Sequence, residues 1–187
     1  INLKGMCLNG SVVTSTAEYQ RHSKPGHMWM DFFQGEHVST DCALVNGEIK
    51  WCRHAIGLSW HEGMFKHWVI CAAPMPKLQS FLSEWVGRHM TGYTGMMNFE
   101  TIGGKIIEAH LRFADQWCDL NGAGWIDAVV QLYAKGQWHY RDEDRRVGYS
   151  IPLFARHNGN FEHPAPEHQS RIRAMPRVSS LQITFYE

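Results

Sequence analysis

The sequence has no surplus of either charge. Lys plus Arg and Asp plus Glu each number 18 among 187 residues, a formal net charge of zero with His neutral. Without a basic field there is no electrostatic case for nucleic acid or an anionic membrane surface as partner. Long apolar runs are missing too: none approaches the roughly 20 residues that a membrane-spanning helix requires. The chain opens on "INLKG", with neither an initiator Met nor a signal-peptide pattern. It therefore reads as a processed product or as the ordered part of something longer. The five cysteines (Cys7, Cys42, Cys52, Cys71 and Cys118) are odd in number, scattered and without a CxxC pair. That argues against a disulfide framework and for buried thiols in a reducing, cytoplasmic compartment. "HEGMFKH" at 61–67 is not HExxH, because its histidines are six apart and cannot share a helical face. No internal repeat is visible.

What the chain does have is apolar and aromatic content. Hydrophobic residues make up 44% and charged residues 19%, with eight Trp, nine Phe and six Tyr. This is a globular composition, long enough for one good core or two small subdomains. Residues 1–19 read as two short strands and "HMWMDFF" (27–33) as an aromatic strand. Residues 37–56 read as a hairpin, with Val38, Cys42 and Leu44 on one face and a type I′ turn at Asn46-Gly47. "HWVICAA" (67–73) reads as a short buried strand. After Pro76 the period changes: Leu78, Phe81, Leu82, Trp85, Val86 and His89 recur at helical spacing. A second helix covers about 123–135, with Trp125, Ala128, Val129, Leu132 and Tyr133 on one stripe and Gly136 as its stop. "RDEDRR" (141–146) is a solvated turn, and "GYSIPLFARH" (148–157) resumes as a strand. The Pro- and His-rich stretch 157–177 reads as a surface loop or partner-binding arm, and "SLQITFYE" as a closing strand. Strands and helices mixed with hairpins, without regular βαβ units, give an α+β class with antiparallel sheets and packed amphipathic helices.

The chemistry concentrates in "MNFETIGGKIIEAHLRF" (97–113). Strand alternation puts Glu108, His110 and Arg112 on one face. The side taken by Glu100 depends on the turn. A two-residue Gly103-Gly104 loop pairs 99 with 108 and turns Glu100 to the opposite face. A three-residue loop, Ile102-Gly103-Gly104 with a glycine at positive φ, pairs 98 with 108 and brings Asn98, Glu100, Glu108 and His110 together. We expect the three-residue turn. Neighbouring carboxylates repel unless a cation or proton lies between them, and hard oxygen ligands suit Mg²⁺ or Mn²⁺ bridging nucleotide phosphates. Spacing alone favours the plainer reading, a half-exposed hairpin whose polar face carries Glu, His and Arg in solvent.

The stretch "NFETIGGKIIEAHLR" resembles the last strand pair of the ATP-grasp fold. There an acidic residue is followed, across a tight turn, by Glu-x-Asn-x-Arg; here these are Glu100 and then Glu108, His110 and Arg112. "MWMDFFQGEHVSTDCALVNGEI" is similar to that family's adenine-binding hinge with its Gly-x-Glu and Ser-x-Asp, matched by Gly35, His37, Ser39 and Asp41. "INLKGMCLNGSVVTSTAEY" looks like its lid, with Lys4 as the phosphate-binding lysine. The resemblance spans 1–135, leaving 136–187 as a carboxyl-terminal extension. His110 stands where the family has Asn, His37 where it has the ribose-binding Glu, and the amino-terminal substrate domain has no counterpart.

The resemblance implies an ATP- and Mg²⁺-dependent ligase that activates a small carboxylate as an acyl phosphate for attack by an amine or similar nucleophile. Glu100, Glu108 and His110 are its implied metal ligands, with Mg²⁺ expected and Mn²⁺ compatible. Glu108 and Arg112 are the implied catalytic residues. Lys4, the Asp31, Phe32 and Phe33 backbone, and His37 are the implied nucleotide contacts, with Asp41 and Asn98 behind them. A second polypeptide or an amino-terminal domain would complete the enzyme. The alternative is a non-catalytic scaffold or assembly subunit that binds a protein partner.

Overall fold

One antiparallel sheet organises the chain, in strand order β5-β4-β1-β2-β3-β6. Its strands are β1 (His37–Val45), β2 (Glu48–Ser59), β3 (Phe65–Ile70), β4 (Gly95–Ile102), β5 (Lys105–His110) and β6 (Gly148–Ser150). The structure is a computed structural model that describes residues 11–59, 65–153 and 162–183. Among these, no helix is long and apolar enough to cross a membrane.

The β1–β2 hairpin turns at Asn46 (φ 52°) and Gly47 (φ 77°), the two left-handed residues that a type I′ turn requires. Its tip is held from outside. Asn46 N–H donates to Thr94 Oγ1 at 2.9 Å and Gly47 N–H to the Tyr93 carbonyl at 2.8 Å. A Cβ on Gly47 would sit 2.9 Å from the Met90 carbonyl, so the close approach needs glycine.

Alternation then sorts the side chains between two helices. On one face Cys42, Leu44, Cys52, Met97 and Phe99 pack against Leu82 and Val86 of α2 (Pro76–His89, numbered after α1 below). On the other face Ala43, Trp51 and Met96 pack against Trp125, Val129 and Leu132 of α3 (Trp125–Lys135). Ala55, Ile70, Ala114 and Trp117 extend that second core. Pro76 stands in the first turn of α2, and Gly136, left-handed at φ 66°, terminates α3. Burying one such aliphatic side chain contributes about 1.5–3 kcal/mol, so the two stripes hold the sheet from both sides. A polar pair lies under α2 as well: His54 Nδ1 is 2.9 Å from Thr40 Oγ1, and Gln79 Nε2 donates to His54 Nε2 at 3.1 Å. Burial pushes this imidazole down to about 4, so it is neutral at physiological pH.

Several expectations are corrected. Residues 11–14 are irregular, and 16–22 form α1 (Thr16–His22) rather than a strand. Its start was written in "STAE": Ser15 caps by accepting from Glu18 N–H at 3.2 Å, while Glu18 accepts from Thr14 N–H at 2.7 Å. "HMWMDFF" is irregular and largely exposed, because no described strand pairs with it. β3 begins and ends earlier than 67–73, and β6 stops at Ser150, with 151–153 irregular. Part of the 157–177 stretch is helical, α4 (Pro166–Arg173), with Pro166 in its first turn and no buried residue. Residues 181–183 form no strand, and the remainder of that expected strand lies outside the described residues. Lys4 lies outside them too, as do four residues of "HEGMFKH".

Three stripe residues are less buried than expected: Phe81 is 39% exposed, Tyr133 57%, and His89 is exposed as well. Phe81 instead lines an open cleft of about 510 Å³ with Val38, Met75 and Leu78. This separates the two neighbours on α2 energetically. Leu82→Ala is expected to cost about 2–5 kcal/mol in urea unfolding. Phe81→Ala should cost well under half of that, and equal losses would mean that the helix face is wrongly oriented.

Candidate functional site

β4 and β5 join through Gly103 (φ 57°) and Gly104 (φ 79°), with Ile102 paired to Lys105. The turn therefore has two residues and not the three expected from the sequence. The carboxylates nevertheless share a face. Thr101 pairs with Ile106, but the next pair is Glu100 with Glu108, so Ile107 is an extra residue, a β-bulge. The bulge restores the parity that a two-residue turn would have broken. Beyond it Phe99 pairs with Ala109 and Asn98 with His110.

As a result, Glu100, Glu108 and His110 each direct one ligand atom into a space where these atoms lie within 4.8 Å of one another. His110 Nε2 is 3.1 Å from Glu108 Oε1. On the neighbouring strand His37 Nε2 lies 2.8 Å from Glu100 Oε2, with its ring edge-on to Phe65 and Trp68 at 5.0 and 5.4 Å between centroids. Two donors on one cation at about 2.1–2.4 Å are at most about 4.8 Å apart, so this donor set fits a divalent cation.

Asn98 does not join the cluster. It is buried, and its Nδ2 donates to Ser39 Oγ at 2.9 Å and to Asp41 Oδ1 at 2.8 Å. Asp41 also accepts from Ala114 N–H at 2.8 Å and from Trp117 Nε1–H at 3.2 Å. These bonds tie β1, β4 and the segment after β5 into one floor beneath the cluster. Arg112 lies beyond the end of β5, so strand parity does not govern it; it is exposed and donates to the Phe113 carbonyl at 3.2 Å.

The expected hinge residues sit one step along the same face. Asp31, Phe32, Phe33 and Gln34, with Ile102, Gly103 and Lys105, line a cleft of about 290 Å³. By register Ile102 and Lys105 point to the side of Glu100, which is two residues, about 7 Å, away along β4. Lys105 Nζ lies 4.6 Å from the centre of the Phe33 ring. The hinge is pinned to the hairpin by backbone contact. Gly103 N–H donates to the Glu36 carbonyl at 3.0 Å, and a Cβ on Gly103 would come within 2.3 Å of the Gln34 carbonyl. Lys105 and Trp117 are the site's unanticipated members. Only Lys105 had a signal, a cation directly after the Gly-Gly turn.

No family model matches this sequence, and no curated protein matches it. Solved structures do. The L-amino acid ligase from Bacillus licheniformis superposes with a TM-score of 0.55 at 13% identity, over 83% of this chain and 47% of the ligase. The chain thus spans about half the length of that enzyme. The biotin carboxylase domain of a thermophilic 2-oxoglutarate carboxylase bound to bicarbonate gives 0.40 at 15% identity, over 61% of this chain and 29% of that one. The corresponding domain from Hydrogenobacter thermophilus, in complex with MgADP and bicarbonate, gives 0.37 at 15%, over 61% and 28%. The ligase likeness shows the fold: α+β and ATP-grasp-like, as the hairpin and hinge motifs implied.

Asp41 offers a direct check on the floor. Burial pushes its carboxyl up to about 6, against the pull of its three N–H donors and of the nearby Arg112 charge. Its folded value lies above the unfolded 3.8, so its contribution to stability is fully present below pH 3.8 and is lost as pH rises through 6. The Asp41 carboxyl ¹³C resonance should titrate near pH 6, well above the model aspartate value of 3.8. A midpoint below 4 for Asp41 would contradict the burial assigned to it.

Proposed function

We propose that this chain supplies the nucleotide- and metal-binding part of an ATP- and Mg²⁺-dependent ligase, which activates a small carboxylate as an acyl phosphate for capture by an amine or similar nucleophile. The observation that carries this reading is the convergence, on one sheet face, of the Phe33-lined cleft and the Glu100/Glu108/His110 cluster. The ligase-like fold supports it.

In this reading the cleft receives the adenine, with the backbone of Asp31, Phe32 and Phe33 as its polar edge. His37 stands on the ribose side and keeps the Glu100 carboxylate oriented. Glu100, Glu108 and His110 would hold the divalent cation, which when bound would supply positive charge to offset that of the phosphates. Lys105 and Lys4 add cationic contacts to phosphate. Arg112, exposed two residues beyond His110, would present its planar fork to the transferring phosphoryl group or to the substrate carboxylate, where it can bond in two places. The protein's work is positioning and charge complementarity, as phosphoryl transfer requires. The carboxylate and nucleophile pockets belong to the remaining half of the enzyme, supplied by another domain or by a second polypeptide.

One observation favours a second reading. Met28, Trp29, Met30 and Phe32 are exposed together on the segment before β1, an apolar arm suited to a protein partner. A non-catalytic scaffold subunit would use it without binding nucleotide.

Calorimetry separates the two. The unsubstituted protein should bind Mg-ATP in a metal-dependent way, and Glu108→Gln, which keeps shape but removes a hard anionic ligand, should abolish that binding with little loss of fold. Arg112→Lys should spare ATP binding and suppress turnover in the complete enzyme. No binding at millimolar Mg-ATP would leave the scaffold reading standing.

A further inference from the structure

We propose that His110 makes the cluster a nitrogen-bearing metal site, which takes a divalent first-row transition cation in preference to Mg²⁺. The inference rests on the metal reading above and concerns which cation the site selects.

The geometry commits His110 to the cluster. It is the last residue of β5, its ring is partly buried, and its Nε2 lies beside Glu108 Oε1 within the common ligand space. Its cross-strand partner Asn98 is buried in the floor, its amide nitrogen donating to Ser39 and Asp41, and the His and carboxylate groups that converge are Glu100, Glu108 and His110. The donors on offer are therefore two carboxylates and one imidazole. Mg²⁺ demands near-octahedral oxygen at about 2.0–2.1 Å and sheds water reluctantly, so an imidazole is a poor exchange for one of its waters. Manganese, iron, cobalt, nickel and zinc accept imidazole nitrogen together with carboxylate.

The second imidazole has a different part. His37 meets Glu100 on Oε2 and is walled by Phe65 and Trp68. It is a positioning residue that fixes which Glu100 oxygen faces the ion, as the outer partners of metal-bound carboxylates do.

Mn²⁺ is the probe for the test, because its unpaired electrons report both binding and ligand type. The chelator-stripped protein is titrated with MnCl₂, with and without competing MgCl₂, and the unbound Mn²⁺ is read by its electron paramagnetic resonance signal. Pulsed resonance on the bound ion then detects nitrogen coupling. We expect one Mn²⁺ per chain that Mg²⁺ displaces only when in clear excess. A ¹⁴N coupling that changes on ¹⁵N-histidine labelling should be present. His110→Asn should remove that coupling and lower Mn²⁺ affinity about tenfold, while shifting Mg²⁺ affinity less than about threefold. His37→Gln should keep the coupling. Should His110→Asn fail to fold, the coupling in the unsubstituted protein and in His37→Gln decides alone. Binding of both cations without nitrogen coupling, or a coupling lost in His37→Gln, overturns the inference and leaves the metal reading intact. Binding of neither cation overturns both.

Discussion

The register of β5 against β4 is the constraint on which the site depends. Ile106 packs toward the α2 core, whereas Glu108 points to the opposite face beside Glu100. In a regular strand residues 106 and 108 would share a face, so both demands can be met only if one residue is left out of the ladder. Ile107 is that residue. A slip without the bulge would turn Glu108 toward Leu78 and Phe99 and strand a carboxylate against apolar surface, at a cost of several kcal/mol. The apolar requirement of one face and the ionic chemistry of the other thus fix the same bulge.

The floor under the cluster is polar and closed. Asn98 on β4 donates to both Ser39 and Asp41 on β1, and Asp41 also gathers the Ala114 and Trp117 donors from the chain that follows β5. A buried carboxylate with one partner missing would be costly; with every donor in place it holds three segments in register. That rigidity lets Glu100, Glu108 and His110 be arranged before any ligand arrives. The segment before β1 is coupled to them through the Gly35–Gly103 contact, where no side chain fits between the two backbones.

Periodicity made part of this legible in the sequence. The β1–β2 hairpin with its Asn46-Gly47 turn, the α2 and α3 stripes and the Gly136 stop all follow from local pattern, and all are formed. The bulge was not legible, because nothing in "KIIEAH" distinguishes a regular strand from one that skips Ile107. Asn98 has the parity of a ligand, yet it serves as a brace, since its partners Ser39 and Asp41 lie about sixty residues away in sequence. Arg112 continues an alternation that the strand itself does not continue. "HMWMDFF" has aromatic β-propensity without a neighbour to pair with, and propensity is weak where no ladder forms. α1 had a capping box that the aromatic and β-branched context obscured, and α4 a proline suited to a first helical turn but embedded in loop-like composition.

The central claim is that nucleotide and metal meet on the Glu100/Glu108/His110 face and not on the α2 face. Paramagnetic broadening by Mn-ATP, followed on assigned backbone amide resonances, tests it most directly. The account predicts that Ser39, Glu100, Ile102, Glu108 and His110 broaden first, at substoichiometric Mn-ATP, and that Leu82 and Val86 in α2 broaden only at higher Mn-ATP. Broadening centred on α2, or none at millimolar Mn-ATP beyond what Mn²⁺ produces in a protein without such a site, would contradict it.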